Sequence, residues 1–171
     1  MKTLIIARHA KAEVLPAHKT DFERKLTDSG KADAEAMALM LTSQIKCPDI
    51  FISSNAKRAF STAKRFAAAY NLNEDAIIKE KNIYEATADT LIEIVQQINN
   101  KHQSAIIFGH NPGFSQLAYY FSGNGAIELP TCGIVIIEFD LDDWENVAYK
   151  NGKITYFNRK KKKKYIPTIK G

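Results

Sequence analysis

Short apolar runs that alternate with longer amphipathic segments restrict this chain to few folds. The runs have the length and the β-branched content of buried strands, and they cover residues 3–8, 50–53, 76–79, 104–109, 133–139 and 153–158. Helical patterns lie between them, at residues 28–44, 56–70, 88–99 and 113–121. Alternation of this kind predicts an α/β protein, a three-layer α/β/α sandwich with a mostly parallel central sheet. The last two strands could pair antiparallel at one edge of that sheet.

Length, hydropathy and cysteine content fit a single cytoplasmic domain. The chain has 171 residues, of which 45% are hydrophobic, and this is enough for one sizeable core. No apolar stretch approaches the roughly 20 residues that cross a bilayer, and the first residues show no signal-peptide pattern. The two cysteines, Cys47 and Cys132, are too few for a disulfide framework. We therefore expect a reduced cytoplasmic protein without a membrane partner.

The net charge of +5 comes from the end of the chain. Residues 159–171 hold seven of the 24 Lys and Arg residues and no acid, which leaves 17 basic against 19 acidic residues in 1–158. Blocks of like charge are usually solvated, so we predict one domain at 1–158 followed by a basic tail at 159–171. Because the domain itself is not basic, we do not expect a nucleic-acid partner. Weak, salt-sensitive contact between the tail and an acidic partner or nucleic acid stays open.

Two predicted strands end in residues that suit phosphate chemistry. The first ends in Arg8 and His9, and the fourth ends in Gly109 and His110. Ligands of open α/β sheets bind beyond the carboxyl ends of the strands, so parallel neighbours would bring both histidines to one edge. An arginine fork suits phosphate, and a histidine serves as nucleophile or proton carrier near neutral pH. The alternative is a pair of strands that merely end in polar residues.

A third segment adds a cation to the same edge. A helix is predicted to follow the strand at 50–53, with Ser54 or Asn55 as its N-cap, and Arg58 lies in its first turns. A helix N-terminus beside an arginine is a favourable place for an anion. The alternative is an arginine on a solvated helix surface.

Together these motifs resemble a known family. They are Arg8-His9-Ala10, Ser53-Ser54 with Arg58-Ala59 and Thr62-Ala63, and Gly109-His110-Asn111-Pro112. In this order they resemble the histidine phosphatase superfamily, and the segments at 21–30 and 129–133 are similar to its small SixA-type branch, the phosphohistidine phosphatases. The resemblance covers residues 1–158 and implies a phosphoglycerate mutase-like fold. One residue departs from the pattern: Ala10 stands where the superfamily usually has Gly, and alanine would cost stability if the position needed a positive φ.

The resemblance implies a mechanism with a covalent intermediate and no cofactor. His9 would attack phosphorus in line and form a phosphohistidine, while its other ring nitrogen donates to a backbone carbonyl. Arg8 and Arg58 would hold the phosphoryl oxygens, and His110 would donate a further hydrogen bond to them. Water would then release phosphate. No metal is expected, since the histidines lack a dense set of carboxylate or cysteine partners.

Three further residues are weaker candidates for the site. Arg24 and Asn111 could contact the phosphate or the substrate, and Glu85 could protonate a leaving group. A surface arginine and a solvated loop glutamate are the alternatives for Arg24 and Glu85. His18 and His102 are interpreted as loop residues. Cys132 is interpreted as a small buried residue, because no neighbour in the sequence would activate its thiol.

The expected partner is a phosphorylated protein or a small phosphorylated molecule. A phosphohistidine leaves as an imidazole and needs less protonation than an alkoxide, and a chain without long insertions predicts an open site. Both points favour a protein phosphohistidine phosphatase. Two alternatives stay open: a broad phosphomonoesterase acting on small metabolites with Glu85 as general acid, and a phosphate-binding domain without turnover.

Overall fold

The computed structural model describes residues 1–158, so the predicted basic tail at 159–171 lies outside the described residues. Six strands form one sheet: β1 (Lys2–Arg8), β2 (Ile50–Ser53), β3 (Ile77–Lys79), β4 (Ser104–Gly109), β5 (Ile134–Phe139) and β6 (Gly152–Phe157). Four α-helices pack on it: α1 (Asp28–Thr42), α2 (Lys57–Ala69), α3 (Ala88–Gln96) and α4 (Gly113–Ser122). Short 3₁₀ helices lie at Asp21–Glu23, Glu74–Ala76, Lys81–Ile83 and Trp144–Asn146. Every predicted strand and helix is present, with ends within a few residues of the prediction.

The sheet is mostly parallel, as predicted. Its strand order is β3-β2-β4-β1-β5-β6. The strands β3, β2, β4 and β1 pair parallel, whereas β5 pairs antiparallel with both β1 and β6. Among the described strands, β5 alone therefore runs against the other five. The prediction of an antiparallel final pair is confirmed.

The two faces of the sheet carry separate cores because alternate residues of a strand point to opposite sides. Leu4 and Ile6 of β1 belong to the core that α3 and α4 cover. Ile5 and Ala7 of the same strand belong to the core under α1 and α2. Strands buried on both faces read as continuous apolar runs, which is why the sequence pattern revealed them. The three-layer α/β/α architecture is thus confirmed.

Helix capping agrees with the prediction at α1 and differs at α2. The Thr27 side chain accepts a hydrogen bond from the Gly30 N–H and caps α1. At α2 the prediction of Ser54 or Asn55 as N-cap was wrong, because the cap residue is Ala56, whose side chain has no oxygen to offer. The helix begins one residue later than predicted. The Ser54 hydroxyl therefore accepts from the Ala56 N–H, in the turn before the helix, and not from an N–H of the first helical turn.

Within residues 1–158, no helix combines the length and the apolar character that a membrane crossing requires.

Candidate active site

The carboxyl ends of β1, β4 and β2 lie side by side and carry most of the predicted site residues. The register pairs Arg8 with Gly109, which places His9 and His110 on adjacent strand ends. The ring centroids of these histidines are 5.3 Å apart. A backbone hydrogen bond of 3.0 Å from the His9 N–H to the Gly109 carbonyl continues the pairing beyond the strands. Ser54 follows β2 in the same way, with its N–H bonded to the Phe108 carbonyl at 3.0 Å.

His9 is a neutral imidazole: one ring nitrogen donates to a backbone carbonyl, and the other accepts from Arg58. Its Nδ1 lies 2.8 Å from the Ala10 carbonyl oxygen, so we assign the ring proton to Nδ1. Its Nε2 is then unprotonated, and its lone pair accepts a hydrogen bond from the Arg58 Nε–H at 3.3 Å. Burial lowers the pKa of His9 to about 4, opposed by the bond to Ala10 and assisted by the Arg58 charge.

His110 is also neutral, and we assign its unpartnered nitrogen as a donor. The Ser54 hydroxyl accepts from the Ala56 N–H, so its own hydrogen is available to His110 Nε2 at 2.9 Å. We therefore assign the ring proton of His110 to Nδ1, which is buried and has no partner among the described residues. Burial lowers the pKa of His110 to about 3, with added repulsion from His9 and Arg58.

The Arg58 guanidinium is buried, with only 5% of the residue exposed. Beyond its contact with His9, its Nη1 donates to the Asp21 carbonyl at 2.7 Å. Its Nη2 donates to the Asp21 carboxylate at 3.0 Å. One side chain in the first turn of α2 is thus fixed between the β1 strand end and the 3₁₀ helix at Asp21–Glu23.

The Asp21 carboxylate accepts hydrogen bonds from three side chains. It is a site residue that the sequence analysis missed. Besides Arg58, Arg24 Nε donates to its carboxylate at 2.8 Å, and the Tyr84 hydroxyl donates at 2.9 Å. Burial alone would raise the pKa of Asp21, but the Tyr84 hydrogen bond and the arginine charges outweigh it and lower the pKa. The available signals were weak: Asp21 lies three residues before Arg24, and Tyr84 lies next to Glu85.

Arg8 and Asn111 meet at one backbone carbonyl. Arg8 Nη1 donates to the Leu129 carbonyl at 2.8 Å, and Asn111 Nδ2 donates to the same oxygen at 3.0 Å. Asn111 Oδ1 accepts from the N–H and the hydroxyl of Ser115, so the amide ties α4 to the loop before β5. Arg8 Nε is buried without a partner in the described part of the chain. Burial also lowers the pKa of Arg8.

A cleft of about 490 Å³ opens beside these groups. Its walls are Asp21, Arg24, Arg58, Tyr84, Glu85, Ala86, Thr87, His110, Asn111, Pro112, Gly113 and Gln116. His9 is 7% exposed and lies outside this lining, next to Arg58 and His110, which belong to it. Glu85 is exposed and has a φ of 55°, an unusual backbone conformation for a non-glycine residue. Of the seven predicted site residues, five line the cleft, and Arg8 and His9 do not.

Gly113 brings the start of α4 against the loop that carries Glu85. A Cβ at this position would lie 2.5 Å from the Ala86 carbonyl oxygen, closer than real Cβ contacts come. The absence of a side chain therefore sets the width of the cleft at this wall.

The positions of Ala10, Cys132, His18 and His102 can now be compared with the sequence predictions. Ala10 does not have a positive φ, so alanine fits the active loop; it is fully buried, and its N–H donates to the Thr62 hydroxyl. Cys132 is buried, and burial raises the pKa of its thiol to about 12, as expected for an inert residue. His18 lies in an exposed loop, and His102 lies before β4, at the opposite edge of the sheet. In the described chain, His, Cys, Asp and Glu residues form no group of three that could hold a metal ion.

Comparison with known proteins identifies one family model that covers most of the chain. The model of the histidine phosphatase superfamily (branch 1) matches residues 4–116, a span that contains the ends of β1, β2 and β4. An uncharacterized chloroplastic protein of Arabidopsis thaliana is 28% identical over 159 residues, which are 88% of this chain and 72% of that protein.

Solved structures share the fold. A SixA structure from Agrobacterium tumefaciens has a TM-score of 0.79 at 23% identity and covers 92% of this chain and 97% of its own. The protein histidine phosphatase SixA complexed with tungstate has a TM-score of 0.77 at 21% identity, covering 91% of this chain and 95% of that one. A mycobacterial glucosyl-3-phosphoglycerate phosphatase complexed with VO3 has a TM-score of 0.69 at 12% identity, covering 92% and 99%.

Proposed function

The chain belongs to the histidine phosphatase superfamily, and we propose that this phosphatase uses His9 as its nucleophile and hydrolyses phosphohistidine on a protein. The observation that carries the proposal is the pairing of a neutral His9 with two buried, unpartnered donors. The Nε2 of His9 is unprotonated and accepts a 3.3 Å hydrogen bond from Arg58, while Arg8 Nε and His110 Nδ1 have no partner among residues 1–158. Buried donors without partners are costly, and an anion that accepts from them removes this cost.

The first step is attack of His9 Nε2 on phosphorus. A nitrogen–phosphorus bond forms as the bond from phosphorus to the leaving group breaks, and the leaving group departs with the electron pair. The proton stays on Nδ1 and keeps donating to the Ala10 carbonyl, which stabilises the positive charge that the His9 ring acquires. Arg8, Arg58 and His110 would hold the three non-bridging oxygens, and each such donor is worth on the order of 3 kcal/mol.

Water completes the cycle. Its oxygen attacks the phosphoryl group on His9, the nitrogen–phosphorus bond breaks, and phosphate leaves as the water proton passes to solvent. His9 returns to its neutral form because burial keeps its pKa at about 4. Neither step as written requires a metal ion or a cofactor.

The position of Glu85 favours a phosphohistidine substrate. Its side chain is exposed, and no described residue fixes its carboxylate through a hydrogen bond or an ion pair. An alkoxide leaving group depends on a positioned general acid, whereas an imidazole leaving group needs less protonation and depends less on where Glu85 is held. The structural similarity to SixA proteins supports the same substrate class.

A small phosphorylated metabolite is the second candidate substrate. Glu85 lies in the wall of the cleft in a left-handed conformation, and such outliers gather at functional sites. In that case Glu85 would protonate the ester oxygen of the leaving group. The phosphatase of glucosyl-3-phosphoglycerate with the same fold supports this alternative.

The cytoplasmic location and the division into a domain at 1–158 and a basic tail stay predictions.

The test is phosphate release from a phosphohistidine-bearing protein and from an aryl phosphate, with wild type and His9→Ala, in the presence of a chelator. We expect release from phosphohistidine that disappears in His9→Ala. Saturable phosphate binding without release from either compound would instead indicate a phosphate-binding domain. Faster release from small esters than from phosphohistidine would favour the metabolite phosphatase.

A further inference from the structure

A second concave surface lies next to the cleft and is lined by lysines. We call it the lysine groove; it has a volume of about 410 Å³, and its lining is Lys25, Leu26, Lys31, Asn55, Lys57, Phe60, Ser61, Lys64 and Lys79. Five of these nine residues are cations and none is an acid. The described chain carries two more acidic than basic residues, so this concentration of positive charge is not a property of the surface as a whole.

The charges of the groove are incompletely neutralised. Lys31 pairs with Asp28 and Lys64 with Glu74, each at 3.3 Å and on exposed side chains where such pairs contribute little. Lys25, Lys57 and Lys79 are exposed and form no ion pair with a described residue; Glu13 lies near Lys25 and Glu23 near Lys57, beyond ion-pair distance. Like charges brought together in this way repel one another, and carboxylates of a partner would relieve the repulsion.

The groove and the cleft have no lining residue in common, but they adjoin at two places along the chain. Arg24 and Arg58 line the cleft, whereas their chain neighbours Lys25 and Lys57 line the groove. A phosphorylated side chain that enters the cleft therefore brings the surface around it against the lysines. A small phosphorylated molecule bound in the cleft alone would leave the groove empty.

The aromatic ring in the groove argues against a nucleic acid. Lys79 Nζ lies 4.4 Å from the centroid of the Phe60 ring, and Lys64 Nζ lies 5.7 Å from it. The lysines occupy the ring face on which a base would stack. What the groove offers a partner is ammonium groups, compact point charges that pair with the carboxylates of an acidic protein surface.

We propose that the lysine groove is a docking site for an acidic surface of the phosphorylated protein substrate, next to the phosphohistidine. The proposal rests on the proposed function, because it assigns the partner of the same site. It predicts that acidic residues around the phosphohistidine increase affinity and that the preference weakens as salt screens the charges.

The test uses two peptides of equal length, each with one phosphohistidine, flanked by glutamates in one and by lysines in the other. Binding is measured by fluorescence anisotropy with the chain carrying His9→Ala, so that the peptide is not consumed. The groove variant Lys31→Glu with Lys79→Glu is compared with a matched variant, Lys46→Glu with Lys101→Glu, whose exposed lysines precede β2 and β4 at the opposite edge of the sheet. Turnover of an aryl phosphate is measured in parallel with His9 intact.

We expect the glutamate peptide to bind at least about tenfold more tightly than the lysine peptide at low salt, and the groove variant to lose this preference. The matched variant should retain it, and aryl phosphate turnover should be unchanged in both. Equal binding of the glutamate peptide to the groove variant and the matched variant would overturn the docking site. Tighter binding of a DNA oligonucleotide than of the glutamate peptide, lost in the groove variant, would also overturn it. Failure of the proposed function would appear separately, as absence of turnover with wild type.

Discussion

Arg58 Nε donates to His9 Nε2 across 3.3 Å, so the guanidinium occupies the lone pair with which we propose that His9 attacks. The same positive charge lowers the pKa of His9 and helps to keep it unprotonated. Attack therefore requires the Arg58 Nε–H to leave its hydrogen bond to His9 and to donate to a phosphoryl oxygen instead. Asp21 holds the other end of the guanidinium through its carbonyl and its carboxylate, which limits the movement to a small rotation.

Asp21→Asn should strengthen the binding of inorganic phosphate. The carboxylate of Asp21 now neutralises Arg58 and Arg24, and asparagine preserves its shape while removing the charge. We expect the inhibition constant for phosphate to fall about fivefold, since charges at such distances near a protein surface interact by a few kcal/mol at most before screening. The inhibition constant is measured from aryl phosphate turnover.

The matched control for this change is Asp75→Asn, an exposed carboxylate in the 3₁₀ helix at Glu74–Ala76. It should leave phosphate inhibition unchanged. Weaker inhibition by phosphate in Asp21→Asn would contradict the prediction, because it would mean that ordering of the arginines matters more than their net charge.

Glu85→Gln should affect esters more than phosphohistidine. Loss of a general acid typically slows a reaction by about 10²–10⁴-fold, and only a leaving group that needs a proton is subject to it. We expect phosphohistidine turnover within about threefold of wild type and a larger fall for an alkyl phosphate. Steady-state rates on both substrates provide the measurement, with the exposed Glu145→Gln as control. A fall of 10²-fold or more in phosphohistidine turnover would refute the prediction that phosphohistidine hydrolysis does not depend on Glu85.

The two buried histidines make stability depend on pH. Their pKa values in the folded chain, about 4 for His9 and about 3 for His110, lie below the ordinary 6.5. The unfolded chain therefore binds more protons below pH 6.5, and stability that is complete above that pH is lost as the pH falls toward 4. Each histidine contributes a slope of up to about 1.4 kcal/mol per pH unit.

Urea unfolding of wild type and His110→Asn between pH 7 and pH 4.5 measures this slope. The variant should lose stability less steeply with falling pH, by up to the contribution of one histidine. His18→Asn, a change in an exposed loop, is the control and should keep the wild-type slope. Identical slopes for wild type and His110→Asn would show that His110 is not held neutral.

Gly113→Ala should destabilise the fold at the cleft wall. The added Cβ would lie 2.5 Å from the Ala86 carbonyl oxygen and 3.1 Å from Leu91 Cδ1, so the loop or the helix must shift. We expect a loss of about 1–3 kcal/mol in the free energy of unfolding, the usual cost of overpacking. Gln116→Ala on the exposed side of the same helix should stay within about 0.5 kcal/mol of wild type. Equal stabilities of the two variants would contradict the close contact.

The strands were predictable because their pattern is local. Residues 4–7 of β1 and 105–108 of β4 are apolar on both faces, and a sheet covered by helices requires that pattern. The placement of His9 and His110 followed from the rule that parallel strands share a carboxyl edge. The cap of α2 was misassigned because two adjacent polar residues offered side-chain caps, and the turn used Ala56 instead.

The contacts around Arg58 were not predictable, because they join distant parts of the chain. Asp21 and Arg58 are 37 residues apart, and Tyr84 reaches Asp21 from 63 residues away. Neither pairing has a periodicity or a motif, so only the folded arrangement reveals them. The lysine groove is similar, since its cations come from the loop before α1, from α1, from α2 and from β3.

The most direct test of the central claim is detection of a phosphoryl group on His9. The protein is incubated with phosphoramidate at mildly alkaline pH, where phosphohistidine persists, and its peptides are then mapped by mass spectrometry. We predict a phosphoryl group on the peptide that contains His9 in wild type and none in His9→Ala. A phosphoryl group on His110 instead, or phosphate release that continues in His9→Ala, would contradict the account.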